Sequence, residues 1–222
     1  MRVRTMLGLA LLVPGALAAQ SGGHGNDMSI GVRVGTLGIG GEIAKLVVPH
    51  IGVRASANFF SYSRNVDNND ISFDAKLKLK AVTGLIDLYP AARGSFHLSG
   101  GIMTRPMTIT GTGVPKNNNF TINGHDYTAA QVGTLTGTGE WGSALPYVGL
   151  GFGSPAAEHA GLGFKFDLGV GIGKPTVKLT ATGATAGSQL QNDLDAQITT
   201  AQKDANKVPV YPVISLGLVY KF

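Results

Sequence analysis

Gly161–Gly173 reads GLGFKFDLGVGIG, and its reading decides the fold. Leu162, Phe164, Phe166, Leu168, Val170 and Ile172 fill the even positions, while the odd ones hold glycine, Lys165 and Asp167. Alternate side chains of a strand point to opposite faces, so one face is wholly apolar and the other is glycine and charge. A soluble sandwich would wet the second face, and glycine serves a solvated strand poorly. A narrow membrane barrel accounts for both faces. Apolar side chains meet lipid, and glycines relieve crowding in the lumen.

The same period runs through the chain. Phe96, Leu98, Gly100 and Ile102 alternate with His97, Ser99, Gly101 and Met103. Ile51, Val53, Ala55, Ala57 and Phe59 alternate with Gly52, Arg54, Ser56, Asn58 and Phe60, and Val148, Leu150 and Phe152 with Tyr147, Gly149 and Gly151. Each stripe is roughly as long as the 9–11 residues a tilted strand needs to cross a bilayer. Short breaks fall at 48–50, 89–94 and 153–161, and longer polar ones at 64–70, 111–131 and 182–208. Outer-membrane barrels place short turns on the periplasmic side and long loops outside. Strands are expected over about 38–47, 50–63, 71–89, 94–110, 133–153, 161–180 and 209–222, with an eighth at Ser29–Val34. A tight turn near Gly35–Gly38 joins that strand to the next, because the apolar positions change parity there. The expected fold is all-β: an eight-stranded antiparallel transmembrane β-barrel with a short helix in the last extracellular loop.

Composition agrees. The 222 residues include 33 glycines, about twice the usual share. There is no cysteine, hence no disulfide framework, thiolate metal site or cysteine nucleophile. Met1–Ala19 has Arg2 and Arg4, a short apolar run over 7–13 and Ala16-Leu17-Ala18, the pattern of a secretory signal peptide. Residues 20–222 are then the barrel domain. Loss of the leader takes the net charge from +5 to +3. The remaining basic residues are scattered, so no nucleic-acid partner is expected.

Tyr211–Phe222 reads YPVISLGLVYKF, with Ile214, Leu216, Leu218, Tyr220 and Phe222 alternating on one face. This strand resembles the C-terminal assembly signal of bacterial outer-membrane barrels. Gly35–Gly38, Phe59–Ser63, Leu85–Pro90, Tyr147–Gly151 and Phe166–Gly169 add to the likeness. The chain as a whole resembles the small Gram-negative outer-membrane β-barrel proteins grouped loosely as OmpA-like and OmpW-like barrels. The resemblance implies location in the cell outer membrane, among outer-membrane lipids and lipopolysaccharide. It also implies a monomer, delivered by periplasmic chaperones and read by the outer-membrane assembly machinery at the last strand. It implies no reaction.

With apolar faces outward, Arg33, Glu42, Arg54, Asp87, Lys165 and Asp167 point inward, three of each sign. Eight strands leave a lumen that side chains just fill, and charges there must be paired. The six are expected to form a lumen ion-pair network; a selectivity cluster in a channel is the other reading. Residues 71–89 carry a fault: Leu77 and Leu79 alternate with Lys76, Lys78 and Lys80, but Val82, Ile86 and Leu88 take the other parity. A β-bulge near Ala81 is expected, to keep Asp87 out of lipid.

Enzyme signatures are weak. His97 and Ser99 share one face, the pairing a serine nucleophile would need, but that face is the inner one. His24, His50, His125 and His159 form no pair with metal-ligand spacing, so no metal or cofactor is expected. Asn119-Phe120-Thr121 is a glycosylation sequon without meaning in a bacterial context. In the external loops, Asn123-Gly124 predicts a small hairpin. Leu190, Leu194, Ile198 and Ala201 recur at helical spacing within Ser188–Lys207, predicting an amphipathic helix that packs on the barrel mouth as a lid or offers a docking surface for a partner or ligand. The expected role is non-enzymatic, structural or surface-interacting, with a side-chain-filled lumen. The alternatives are a narrow channel for small hydrophobic or ionic solutes, and a lipid A-modifying enzyme.

Overall fold

The structure is a computed structural model that describes residues 27–67, 71–92, 94–104, 106–115, 120–153, 160–185 and 187–222. The expected leader, His24, His159 and Asn117–Asn119 lie outside the described residues. The strands are β1 (Met28–Gly35), β2 (Gly38–Val48), β3 (Ile51–Asp67), β4 (Ile71–Leu88), β5 (Phe96–Thr104), β6 (Met107–Pro115), β7 (Phe120–Ile122), β8 (His125–Tyr127), β9 (Leu135–Trp141), β10 (Ala144–Phe152), β11 (Gly161–Ile172), β12 (Pro175–Ala181) and β13 (Val210–Lys221). Two helices, α1 (Ala129–Val132) and α2 (Gln189–Ala205), lie in the longer loops.

Antiparallel pairing runs β4-β3-β2-β1-β13-β11-β10-β5 and returns to β4, a closed ring of eight strands. The ring closes where Ser29 of β1 faces Lys221 of β13, and Phe222 N–H donates to the Met28 carbonyl. Beyond one end of the ring, β3 and β4 continue and are joined by β6, β9 and β12. β5 and β6 keep one register against β4, as do β10 and β9 against their neighbours, so each pair is one long strand broken at its waist. The longer loops and the tight β1–β2 turn leave from this end, and the short β2–β3 and β4–β5 turns from the other.

The ring and its extension have opposite polarity. Around the ring the outward side chains are apolar and exposed, including Val32, Val34, Ile102, Phe164 and Leu216, whereas the inward ones include six buried charges. In the extension, strand register places Tyr62, Leu77, Ile109, Gly139 and Val177 in one row on the inner face. The outer face there carries Lys78, Thr108, Glu140 and Thr176 in register. This inversion corrects the reading of residues 71–89. The β3–β4 register runs unbroken from Ile51–Leu88 to Asp67–Ser72, so there is no bulge at Ala81. Asp87, Leu79 and Leu77 all face inward, and it is the environment that changes along the strand. The same cause lengthens β3 and β6 past their expected ends at 63 and 110, because polar residues there cover a strand face and not a loop.

Free edges of the extension are handled unequally. α2 lies along β12, where the Gln202 amide accepts from Val177 N–H (2.9 Å) and donates to the Pro175 carbonyl (2.8 Å). One side chain thus imitates a neighbouring strand and blunts an edge open to mispairing. Ser188 caps the helix by accepting from Gln191 N–H. Leu190 and Leu194 pack with Ile122, Tyr127 and Val132 into a second small core.

Candidate functional site

Each inner charge comes from a strand in which both neighbours along the chain are lipophilic or glycine, so alternation alone aims it at the lumen. The structure brings all six together. Arg54 is central: Nη1 lies 2.6 Å from Asp167 Oδ1 and 3.5 Å from Glu42 Oε2, and Nη2 lies 2.9 Å from Asp87 Oδ1. Arg33 Nη1 is 2.8 Å from Glu42 Oε2, and Nη2 is 3.7 Å from Asp167 Oδ2. Lys165 Nζ donates to Glu42 Oε1 at 2.7 Å. All six are 1–6% exposed, so solvent does not screen them. Buried charges survive only when paired and hydrogen-bonded, and three cations against three carboxylates make this set formally neutral.

Neutral partners extend the network, although the buried Arg54 Nε forms no hydrogen bond among the described residues. Ser99 donates to Asp87 Oδ1 (2.6 Å) and accepts from Arg54 (2.9 Å). Ser215 accepts from Arg33 (2.5 Å) and donates to Asp167 (3.3 Å). His97 Nε2 lies 3.2 Å from Asp167 Oδ1, and its ring packs 5.3 Å from that of Tyr89. A Cβ at Gly151 would sit 2.6 Å from the His97 Nε2 and 2.7 Å from Asp167 Oδ1, so glycine is what admits this contact. Ser99 and His97 are thus engaged with different carboxylates. The imidazole–hydroxyl hydrogen bond that activates a serine nucleophile is not among those formed.

Toward the extension an apolar layer lies across the lumen. Leu37, Leu85, Met103, Leu145, Tyr147, Tyr211 and Val213 form one buried cluster. Leu37 belongs to the tight β1–β2 turn, which folds inward; Tyr211 Oη donates to the Thr36 carbonyl at 2.6 Å and holds it there. Tyr147 lies across the paired glycines Gly149 and Gly169, where a Cβ would approach its hydroxyl to 2.6 and 2.3 Å. Trp141 stacks edge-on against Tyr211 above this layer.

The terminal strand presents Ile214, Leu216, Leu218, Tyr220 and Phe222 outward, 40–60% exposed, on the apolar belt and away from the lumen network. His50 Nδ1 contacts the Tyr89 carbonyl in a turn. No group of His, Asp and Glu among the described residues has metal-binding geometry.

A second polar cluster sits in the loops. β7 and β8 form the hairpin expected at Asn123-Gly124, both residues at positive φ (50° and 84°). Asp193 of α2 is buried beneath it, accepting from the Tyr127 hydroxyl, from Asn123 Nδ2 (3.1 Å) and from Gln189 Nε2 (3.2 Å). His125 Nδ1 lies 2.9 Å from Oδ2, the oxygen that accepts from Tyr127. The Tyr127 hydrogen bond foremost, then that of Asn123, lowers the Asp193 carboxyl to about 2. The same bond raises Tyr127 to about 12. A depressed carboxyl contributes stability that is complete above its unfolded value near 3.8 and lost as pH falls through the folded one. Pepsin cleavage of the hairpin–helix contact is therefore expected to rise steeply between about pH 4 and 2, and Asp193→Asn is expected to flatten that rise.

No protein family matches the sequence, and neither does any curated protein. Among solved structures, the crystal structure of CarO from Acinetobacter baumannii has a TM-score of 0.52, 21% identity, and coverage of 87% of this chain and 97% of that one. The chain shares the CarO fold. CarO2 from the same organism gives a TM-score of 0.55 at 19% identity, covering 90% of this chain and all of that one. Identities this low relate folds, and the residues of the site are argued from their own geometry.

Proposed function

We propose that this protein is a non-enzymatic β-barrel of the Gram-negative outer membrane, with a closed lumen and a structural or surface-interaction role. One observation carries the reading: an outward belt of exposed apolar side chains encircles a ring whose charges are buried inside. Water would penalise such a belt, and lipid satisfies it. Phe96 and Phe152, and Tyr220 and Phe222, pair 5.4 and 5.3 Å apart near the short-turn end, where barrels of this kind carry an aromatic girdle. The extension and loops then stand outside the cell, and their Thr- and Lys-bearing outer face suits water. The leader and terminal strand supply the rest: passage with periplasmic chaperones, assembly through the last strand, and residence among outer-membrane lipids and lipopolysaccharide.

A plug is supported by the side chains packed across the lumen. Ionic and apolar layers both lie across it, so purified protein is expected to give no stable conductance in planar bilayers. Sustained channel openings would overturn the closed lumen and favour the second reading, a narrow channel for small hydrophobic solutes. The apolar inner face of the extension, leading down to Leu37 and Met103, is what supports that alternative. Heat-modifiable gel mobility in outer-membrane fractions is the expected sign of the barrel itself, and unchanged lipid A from cells lacking the protein that of a non-enzyme.

A further inference from the structure

The outward face of β4 changes chemistry within one step. Val82, Ile86 and Leu88 point outward, about half exposed, in the apolar belt. The next three outward positions are Lys80, Lys78 and Lys76, all exposed. Register sets Phe59 beside Lys80, Ser61 and Thr108 beside Lys78, and Ser63 and Thr110 beside Lys76. Successive rungs on one strand face lie roughly 7 Å apart, so three ammonium groups climb from the edge of the belt.

No ion pair is formed by these lysines among the described residues. Glu140, two strands away in the Lys78 row, is held by Lys178 at 3.3 Å. Asp74 shares the face one rung beyond Lys76. The lower two lysines border a depression of about 360 Å³, lined by Lys78, Lys80, Val82, Thr104, Thr108 and Ser143. It lies at the waist where β5 gives way to β6 and β9 to β10, and Val82 N–H there donates to Thr104 Oγ1 (2.8 Å). Its base is the top of the apolar belt, while its walls are ammonium and hydroxyl groups.

That combination fits an anionic head group whose apolar tail runs down the belt. Ammonium groups bind phosphate as point charges, and the hydroxyls of Thr104, Thr108 and Ser143 can donate to further oxygens. We infer that this depression binds a phosphate of an outer-leaflet glycolipid of the lipid A type. The inference rests on the membrane reading above, because only a ring crossing the bilayer sets Lys78 and Lys80 at head-group height with the loops outside.

Native mass spectrometry of the full protein in detergent tests it, with lipid A bisphosphate and fully dephosphorylated lipid A as probes. The wild type is expected to retain the bisphosphate at least tenfold better than the dephosphorylated form. A lysine near an anionic surface is worth about fivefold, so Lys78→Gln with Lys80→Gln is expected to remove most of that preference. Lys178→Gln, on the same outer face but already paired, is expected to keep it. Equal retention of both lipids by the wild type, or undiminished preference in the double variant, overturns the site. Folding into phosphatidylcholine vesicles is measured alongside. A chain that folds there without preferring phosphate loses only this inference. A chain that never enters vesicles loses the membrane reading and this site with it.

Discussion

Replacing Arg54 with leucine is expected to destabilise the ring by about 3–5 kcal/mol, the usual cost of removing one partner from a buried ion pair. The side chain is wholly buried and within 3.5 Å of three carboxylates, which are themselves 1–4% exposed, so the excess negative charge left behind is cut off from bulk solvent. Asp87 would suffer most. Its other hydrogen bond comes from Ser99, which is itself a partner of Arg54. The double variant Arg54→Leu with Asp87→Asn restores neutrality and is expected to recover a substantial part of the loss. Urea unfolding in vesicles, followed by the folded band on unheated gels, measures both. If the double variant is as unstable as the single one, charge balance is not what holds the network together.

Leu216→Arg is expected to cost about 2–4 kcal/mol, the penalty for a cation on the lipid face near the midplane. Leu216 faces outward at mid-height of β13, between Val34 and Phe166 on the adjoining strands. Thr176→Arg, outward on β12, is expected to stay within about 0.5 kcal/mol, as exposed substitutions do. Thr176 faces outward beside Glu140 in the polar extension. Under the membrane function proposed above, the same cation on the same side of one continuous wall separates a lipid-facing position from a water-facing one. Similar costs at both positions would mean that the wall does not change solvent where its polarity inverts.

Much of this was legible because alternation states a side chain's face without reference to any partner. Residues 161–173 could be read outright, since every even position is apolar and every odd one is glycine or charge. The six inner charges follow from the same parity. Their neutral partners do not: Ser99 and Ser215 share the inner face with many small residues, and only the packed lumen shows which ones reach a carboxylate. Leu37 was hidden for another reason. It sits in a turn, where period two is suspended, and nothing local announces that the turn folds inward. The helix α1 escaped notice too, although Thr128 and Gln131 form a capping box. The misreading of β4 is the most instructive. Parity names a face but not its surroundings, and Lys80 marks the point where the outside of β4 ceases to be apolar.

The pairing of Ser29 with Lys221 has a kinetic side. These partners stand at opposite ends of the described chain, so their contact is among the costliest in loop-closure entropy and among the last that chain growth makes available. Until β13 arrives, β1 and β11 each lack the neighbour that the finished ring gives them. An unfinished molecule therefore carries two adhesive borders that match its own sequence, and another unfinished copy is as good a partner as its own tail. Folding becomes a race between intramolecular closure, which is independent of concentration, and dimer or higher pairing, which is not. Dilution favours the first, and crowding of unclosed chains favours the second.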